Sequence, residues 1–181
     1  AHGETRFVGY EQLEARSRVL ALLRDGVEVP SLAPGETGEA IVDVTPCYAE
    51  RGGQVGDQAE IRAGGAIVGH VVDTQRPVGA LTVHAVSATA AIAVGDTVDI
   101  AVDAPRRAAT MRNHTATHLL HRAIRVVAGP DAKQRGSLVH PDYLRFDYPL
   151  DRALTRDERD ATEAEVQRAI REDLQVTVEE M

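Results

Sequence analysis

The chain has 181 residues, 43% of them hydrophobic but only 3% aromatic and none tryptophan, so aliphatic residues and alanine must fill any core. Its 28 acidic residues against 20 basic ones give a net charge of -8, which argues against a general nucleic-acid binder, a class that is usually basic. The single cysteine, Cys47, excludes an intrachain disulfide; with no signal peptide and no apolar run long enough to span a bilayer, the chain reads as cytoplasmic.

In chain order, residues 1–103 read as β structure. An apolar run from Val19 to Leu23 meets Asp25-Gly26, a hairpin dipeptide. Glu39 to Val44 alternates imperfectly. Glu60 to Arg62 leads through Gly64-Gly65 into Ala66 to Val72, and Leu81 to Val86 and Thr97 to Val102 complete the set. Short strands at regular spacing, with Gly and Pro in the gaps, suggest a closed barrel or a sandwich. The character changes at Asp103, which can cap a helix whose first turn suits Pro105. That helix holds to Val127 and stops at Gly129-Pro130. Leu138 to Tyr148 reads as extended. Thr155-Arg156-Asp157-Glu158 is a capping box that starts a helix running to about Asp173, and Gln175 to Val178 reads as one more strand. The expected organisation is α+β: a β-barrel over residues 1–103, then an α+β unit over 104–181.

The most informative segment is Asn113 to His121. His114 and His118 stand one helical turn apart, on one face, close enough for both imidazoles to reach one ion; His121 shares that face. Three or four such ligands make a zinc site. Thr115 stands where a zinc protease helix carries its Glu, so a metal here would serve other chemistry. The plainer reading is a pair of polar surface or satisfied core histidines. Arg106, Arg107, Arg112, Arg122 and Arg125 cluster around this helix. They could hold the tip of a polyanion, but charge alone favours a solvated helix face. His70, His84 and His140 are isolated and read as structural or surface residues.

Several ordered segments together resemble the alanyl-tRNA synthetase family over essentially the whole chain. Thr5-Arg6-Phe7-Val8-Gly9-Tyr10 with Leu13-Glu14 looks like the entry to its middle β-barrel. Thr45 to Asp57, containing Gly52-Gly53-Gln54, looks like its glycine-rich motif. Asn113 to Leu120 looks like the zinc motif of its editing domain, and Gly136-Ser137-Leu138 and Leu144-Arg145-Phe146-Asp147 match in order. Stand-alone alanyl-tRNA editing proteins share this region. The resemblance implies an α+β chain made of the barrel and the first part of an editing-type domain. It also implies hydrolysis of serine or glycine wrongly esterified to tRNA(Ala). A pocket shaped for alanine excludes such near analogues poorly, so a second sieve is needed.

By that resemblance His114 and His118 are zinc ligands, Thr117 discriminates the serine hydroxyl, and Gln134 helps hold the substrate. Gly52, Gly53, Gln54 and Arg112 are then candidates for contact with the tRNA acceptor end. For Gly52-Gly53-Gln54 a structural or substrate-loop role is favoured over catalysis. Thr117 could instead bond its own helix backbone, and Gln134 could be a solvated loop residue. The family completes its zinc site with a downstream Cys-x-x-x-His pair, which this chain lacks before Met181. The zinc site and the editing activity of the isolated chain are therefore expected to be incomplete. Cys47 replaces a bulky apolar residue and reads as a small buried thiol. Two alternatives stand beside editing: a non-catalytic module that binds tRNA or another partner, and a free-standing metallohydrolase acting on another small ester or amide.

Overall fold

The computed structural model describes residues 4–173, and the expected strand at Gln175 to Val178 lies outside them. The elements are β1 (Arg6–Phe7), β2 (Glu14–Arg24), β3 (Val27–Val29), β4 (Ser31–Leu32), β5 (Thr37–Val42), β6 (Val44–Thr45), β7 (Ala59–Ala63), β8 (Ala66–Val78), β9 (Leu81–Ala88), β10 (Ile92–Ala93) and β11 (Thr97–Val102). Then come α1 (Ala104–Ala128), β12 (Gly136–Val139), β13 (Leu144–Asp147) and α2 (Arg156–Arg171). The class is α+β.

The strands of the first unit close on themselves. The order β11-β7-β8-β9-β5-β2 returns to β11, with Thr97 opposite Arg18 and Ala101 opposite Glu14, while β3 extends one end of β2. Closure removes the free edges that an open sheet would present. Alternation explains the filling: in β9 every second residue, Thr82, His84, Val86 and Ala88, is buried, and in β11 Val98, Ile100 and Val102 are. The barrel core holds Val19, Leu22, Leu32, Val42, Ile61, Val71, Val86, Ile92 and Ile100 among others, aliphatic apart from Cys47, as the scarcity of aromatics requires. The imperfect pattern of β5 has a local cause. Register shifts between Val19 and Ala21 on the neighbouring β2, and Ala40, Ile41 and Val42 are buried in succession. Such a bulge turns a strand so that its strict in-and-out order is lost.

One polar group lies deep in this unit. His84 is 1% exposed; its Nδ1–H donates to the Ala40 carbonyl at 3.2 Å and its Nε2 accepts from the Thr45 hydroxyl at 2.8 Å. The same hydroxyl oxygen accepts from the Cys47 amide at 3.1 Å, so each member of the chain is satisfied. Burial pushes the His84 pKa down to about 4, and the ring is neutral at ordinary pH.

The chain separates into two compact units, 1–109 and 110–181, dividing inside α1 a few residues past Asp103. Asp103 caps α1, its Oδ1 accepting from the Arg106 amide at 2.9 Å, and Gly129 ends it in a left-handed conformation. In the second unit the extended stretch 138–148 is a hairpin of β12 and β13 turned at His140–Tyr143, with Val139 opposite Leu144. The capping box of α2 is formed: Thr155 Oγ1 accepts from the Glu158 amide, and Glu158 accepts from the Thr155 amide at 2.8 Å. Arg122 on α1 donates to Glu165 on α2 at 3.2 Å. Among the described residues no helix is long and apolar enough to cross a membrane.

Candidate functional site

On α1, the rings of His114 and His118 stack nearly parallel, 14° apart with centroids at 5.3 Å, as the one-turn spacing requires. His114 is partly buried; desolvation, then the neighbouring His118 ring, lowers its pKa below the ordinary histidine value. Both effects favour a neutral imidazole, the form that binds a metal. His118 is exposed and opens on a cavity of about 460 Å³ shared with His121, Arg122 and Arg125. His121 packs its ring against Phe146 at 5.0 Å, and its buried Nε2 has no hydrogen-bond partner among the described residues.

Thr117 is 5% exposed, and its hydroxyl donates to the Asn113 carbonyl at 2.8 Å. Asn113 in turn donates from Nδ2 to the carbonyls of His140 and Pro141 at 2.7 and 3.0 Å, tying the start of the histidine segment to the hairpin turn. Gln134 is exposed on the loop after α1 and donates to Ser137 Oγ at 2.9 Å. Arg112 is exposed. Among the described residues no group of three His, Cys, Asp or Glu side chains gathers in a way that could hold a metal ion. The donor set therefore fits a zinc ion only in part: His114 and His118 offer two of the four ligands a closed tetrahedral shell takes.

In the first unit, Gly52 and Gly53 occupy the middle of a tight turn between Arg51 and Gln54, with φ of 61° and 85°. Positive φ at both central residues is the geometry that glycine permits and bulkier residues resist. Gln54 is buried at 6% exposure, so its side chain is built into the unit rather than held out at a loop tip.

Arg107 was a member of the arginine cluster in the sequence, and the structure removes it from any surface role. Its side chain is 8% exposed. Its Nε donates to both Asp57 carboxylate oxygens at 2.9 Å, and Nη2 also donates to Oδ2. Nη1 donates to the Gly9 carbonyl and Nη2 to the Pro46 carbonyl, each at 2.9 Å. Asp57 further accepts from the Tyr48 amide at 2.6 Å. One buried guanidinium thus holds three separate segments, around Gly9, Pro46 and Asp57. The residues are far apart in the sequence, and no local pattern announces their pairing.

Residues 1–106 match the family model described as tRNA synthetases class II (A). The chain belongs to that family. It is 45% identical over 177 residues to an alanine–tRNA ligase of Desulforamulus reducens, 97% of this chain and 20% of that protein. It is 47% identical over 175 residues to that of Desulforudis audaxviator, 96% of this chain and 20% of the relative. It is 44% identical over 179 residues to that of Caulobacter vibrioides, 99% of this chain and 20% of the relative. The chain spans about a fifth of the length of the curated relatives it matches. For a class II tRNA synthetase (A) chain, the barrel is the part the family model covers, and the histidine helix begins just inside its far boundary.

Proposed function

We propose that this chain is the barrel and the first part of the editing domain of a cytoplasmic alanine–tRNA ligase, and that its helix site acts on serine or glycine wrongly esterified to tRNA(Ala). The observation that carries this reading is the parallel His114–His118 pair, with Thr117 between them in sequence, in a chain 44–47% identical to alanine–tRNA ligases. The two imidazoles would hold one side of a zinc ion, and such an ion supplies polarisation of the ester carbonyl or a water of lowered pKa. The remaining steps belong to the chain. Desolvation, then the neighbouring His118 ring, favours the neutral form of His114. Thr117 spends its proton on the Asn113 carbonyl, so its oxygen remains an acceptor for a serine hydroxyl, a partner alanine does not offer. Gln134 and Arg112, both exposed, would contact the acceptor end of the tRNA; in the barrel unit, the Gly52-Gly53 turn would serve as a substrate loop, with Gln54 anchoring it.

A second reading, a module that binds tRNA or a partner without hydrolysis, draws on one fact: no third donor joins the histidine pair among the described residues. Two ligands without a preformed third should bind zinc weakly. The test that separates the readings is release of labelled serine from mischarged tRNA(Ala), measured on the alanine–tRNA ligase that contains this chain. His114→Ala is expected to lower the rate on the order of a hundredfold, the size of effect that a displaced catalytic constellation brings. Thr117→Val is expected to shift the choice between seryl and alanyl esters while the fold stays intact. An unchanged rate in His114→Ala would remove the metal assignment and leave the binding reading in its place.

A further inference from the structure

The barrel unit carries a cavity of about 260 Å³ walled by Phe7, Tyr10, Tyr48, Arg51, Arg76 and Thr82. The whole chain has only 4 tyrosines and 2 phenylalanines, and three of these aromatics meet here. Phe7 presents its ring edge-on to Tyr10, with centroids at 5.0 Å, and to Tyr48 at 6.2 Å. Tyr10 is 86% exposed, so a large flat ring stands in solvent, held by its neighbours. Arg51 and Arg76 are also exposed, and among the described residues neither is in an ion pair. The Nε of Arg76 donates to the Gly79 carbonyl, which sets its guanidinium against the turn between β8 and β9. The nearby Glu50 is engaged by Gln75 Nε2 at 2.8 Å.

The walls of this cavity are fixed from below. A Cβ on Gly9 would lie 2.1 Å from the Pro46 carbonyl oxygen and 2.5 Å from the Phe7 ring, so only glycine lets the Tyr10 turn lie that close. Arg107 clamps the Gly9 and Pro46 carbonyls, and its partner Asp57 holds the Tyr48 amide. Cys47 also lines the cavity, but burial, then the Asp57 charge, pushes its thiol up to about 12, and it stays protonated and unreactive. A rigid set of flat rings beside two unpaired guanidiniums binds rather than reacts. Aromatic faces take bases by stacking, and guanidiniums take phosphates through forked hydrogen bonds.

We infer that this cavity binds an unpaired nucleotide of an RNA, with the base stacked on Tyr10 and a neighbouring phosphate between Arg51 and Arg76. The volume is of the size of one nucleotide. The inference shares with the editing reading only the premise that the chain handles tRNA; it uses none of His114, Thr117, His118 or Gln134. Arg107 and Asp57 are positioning residues for this site.

The test is fluorescence anisotropy of the whole chain with a labelled single-stranded oligoribonucleotide six nucleotides long, and with a duplex RNA as control. Tyr10→Ala is expected to weaken single-strand binding about tenfold or more, the effect of losing one stacked base, whereas Tyr10→Phe, which keeps the ring, should bind like the parent. Arg51→Gln should weaken binding and flatten its dependence on salt. The readout is RNA binding and not serine release, so a failure of the editing reading is distinguishable from a failure here. Crosslinks from 4-thiouridine-substituted RNA should map to peptides containing Tyr10 or Tyr48. Because Tyr10 is exposed, its variants keep the parent melting temperature. No salt-dependent single-strand binding by the parent chain would overturn the inference. So would parent-like binding by Tyr10→Ala, tighter binding of the duplex, or crosslinks confined to other peptides.

Discussion

The barrel unit and the helical unit treat their buried polar groups differently. In the barrel, Arg107, Asp57, His84 and Thr45 are each bonded to partners within the unit. In the helical unit, the Thr117 and Thr162 hydroxyls bond only to carbonyls one turn back on their own helices, and His121 buries a ring nitrogen with no hydrogen-bond partner among the described residues. An unmade hydrogen bond in a dry place costs free energy, so native proteins keep few of them. The contrast teaches that the barrel's interior polar groups lock distant segments to one another, whereas the buried hydroxyls of the helical unit bond within their own helices.

The contrast breaks most visibly at Arg107. Arg107→Ala is expected to destabilise the barrel by about 3–5 kcal/mol, because Asp57 would remain buried with its charge uncompensated. Urea unfolding followed by circular dichroism measures it, and a loss below about 1 kcal/mol would mean that the pair is ornamental. Titration of His84 is expected to have the next largest effect. Its folded pKa, about 4, lies below the ordinary 6.5, so the unfolded chain binds this proton more readily. The stabilisation is fully present above about pH 6.5 and is lost as pH falls toward 4, by roughly 3 kcal/mol at about 1.4 kcal/mol per unit. Unfolding free energies across that window should fall in the parent, and His84→Gln should lack this component of the slope. An equal slope in both would assign the acid sensitivity elsewhere. In the helical unit the comparable single change is smaller. Thr155→Ala removes the hydroxyl half of a solvent-exposed capping box and is expected to cost about 1 kcal/mol. Thermal melts compared with Arg107→Ala would rank the two directly, and a reversed ranking would undo the comparison.

What could be read from the sequence follows the range of the forces involved. Asp25-Gly26 and Gly64-Gly65 make their hairpin turns, Asp103 caps α1, Gly129 stops it, and Thr155 with Glu158 caps α2, because each is decided within four or five residues. The run from Leu138 to Tyr148 looked continuous but turns at His140–Tyr143, since apolar content alone does not locate a turn. Strand closure was legible only as a class, barrel or sandwich; the pairing of Thr97 with Arg18 is set by three-dimensional twist. Arg107 was misread with its helical neighbours because its partner lies fifty residues earlier. The same blindness hid the cavity at Tyr10, whose walls come from three distant stretches of chain. The histidine pair was visible because one helical turn sets it.

Closure of the barrel has a consequence for synthesis. The strand that opens the ring, Glu14–Arg24, and the strand that seals it, Thr97–Val102, are its first and last in chain order. A ribosome delivers the chain from the N-terminus, so the Glu14–Arg18 part of one β2 edge stays unpaired until Thr97–Val102 has left the exit tunnel. During that interval the nascent chain exposes an unpaired strand edge, the kind of surface that chaperones shield and that neighbouring nascent chains can capture. The seam is the last part of the barrel a translating ribosome allows to form, and a pause in translation before residue 97 would prolong the exposed state.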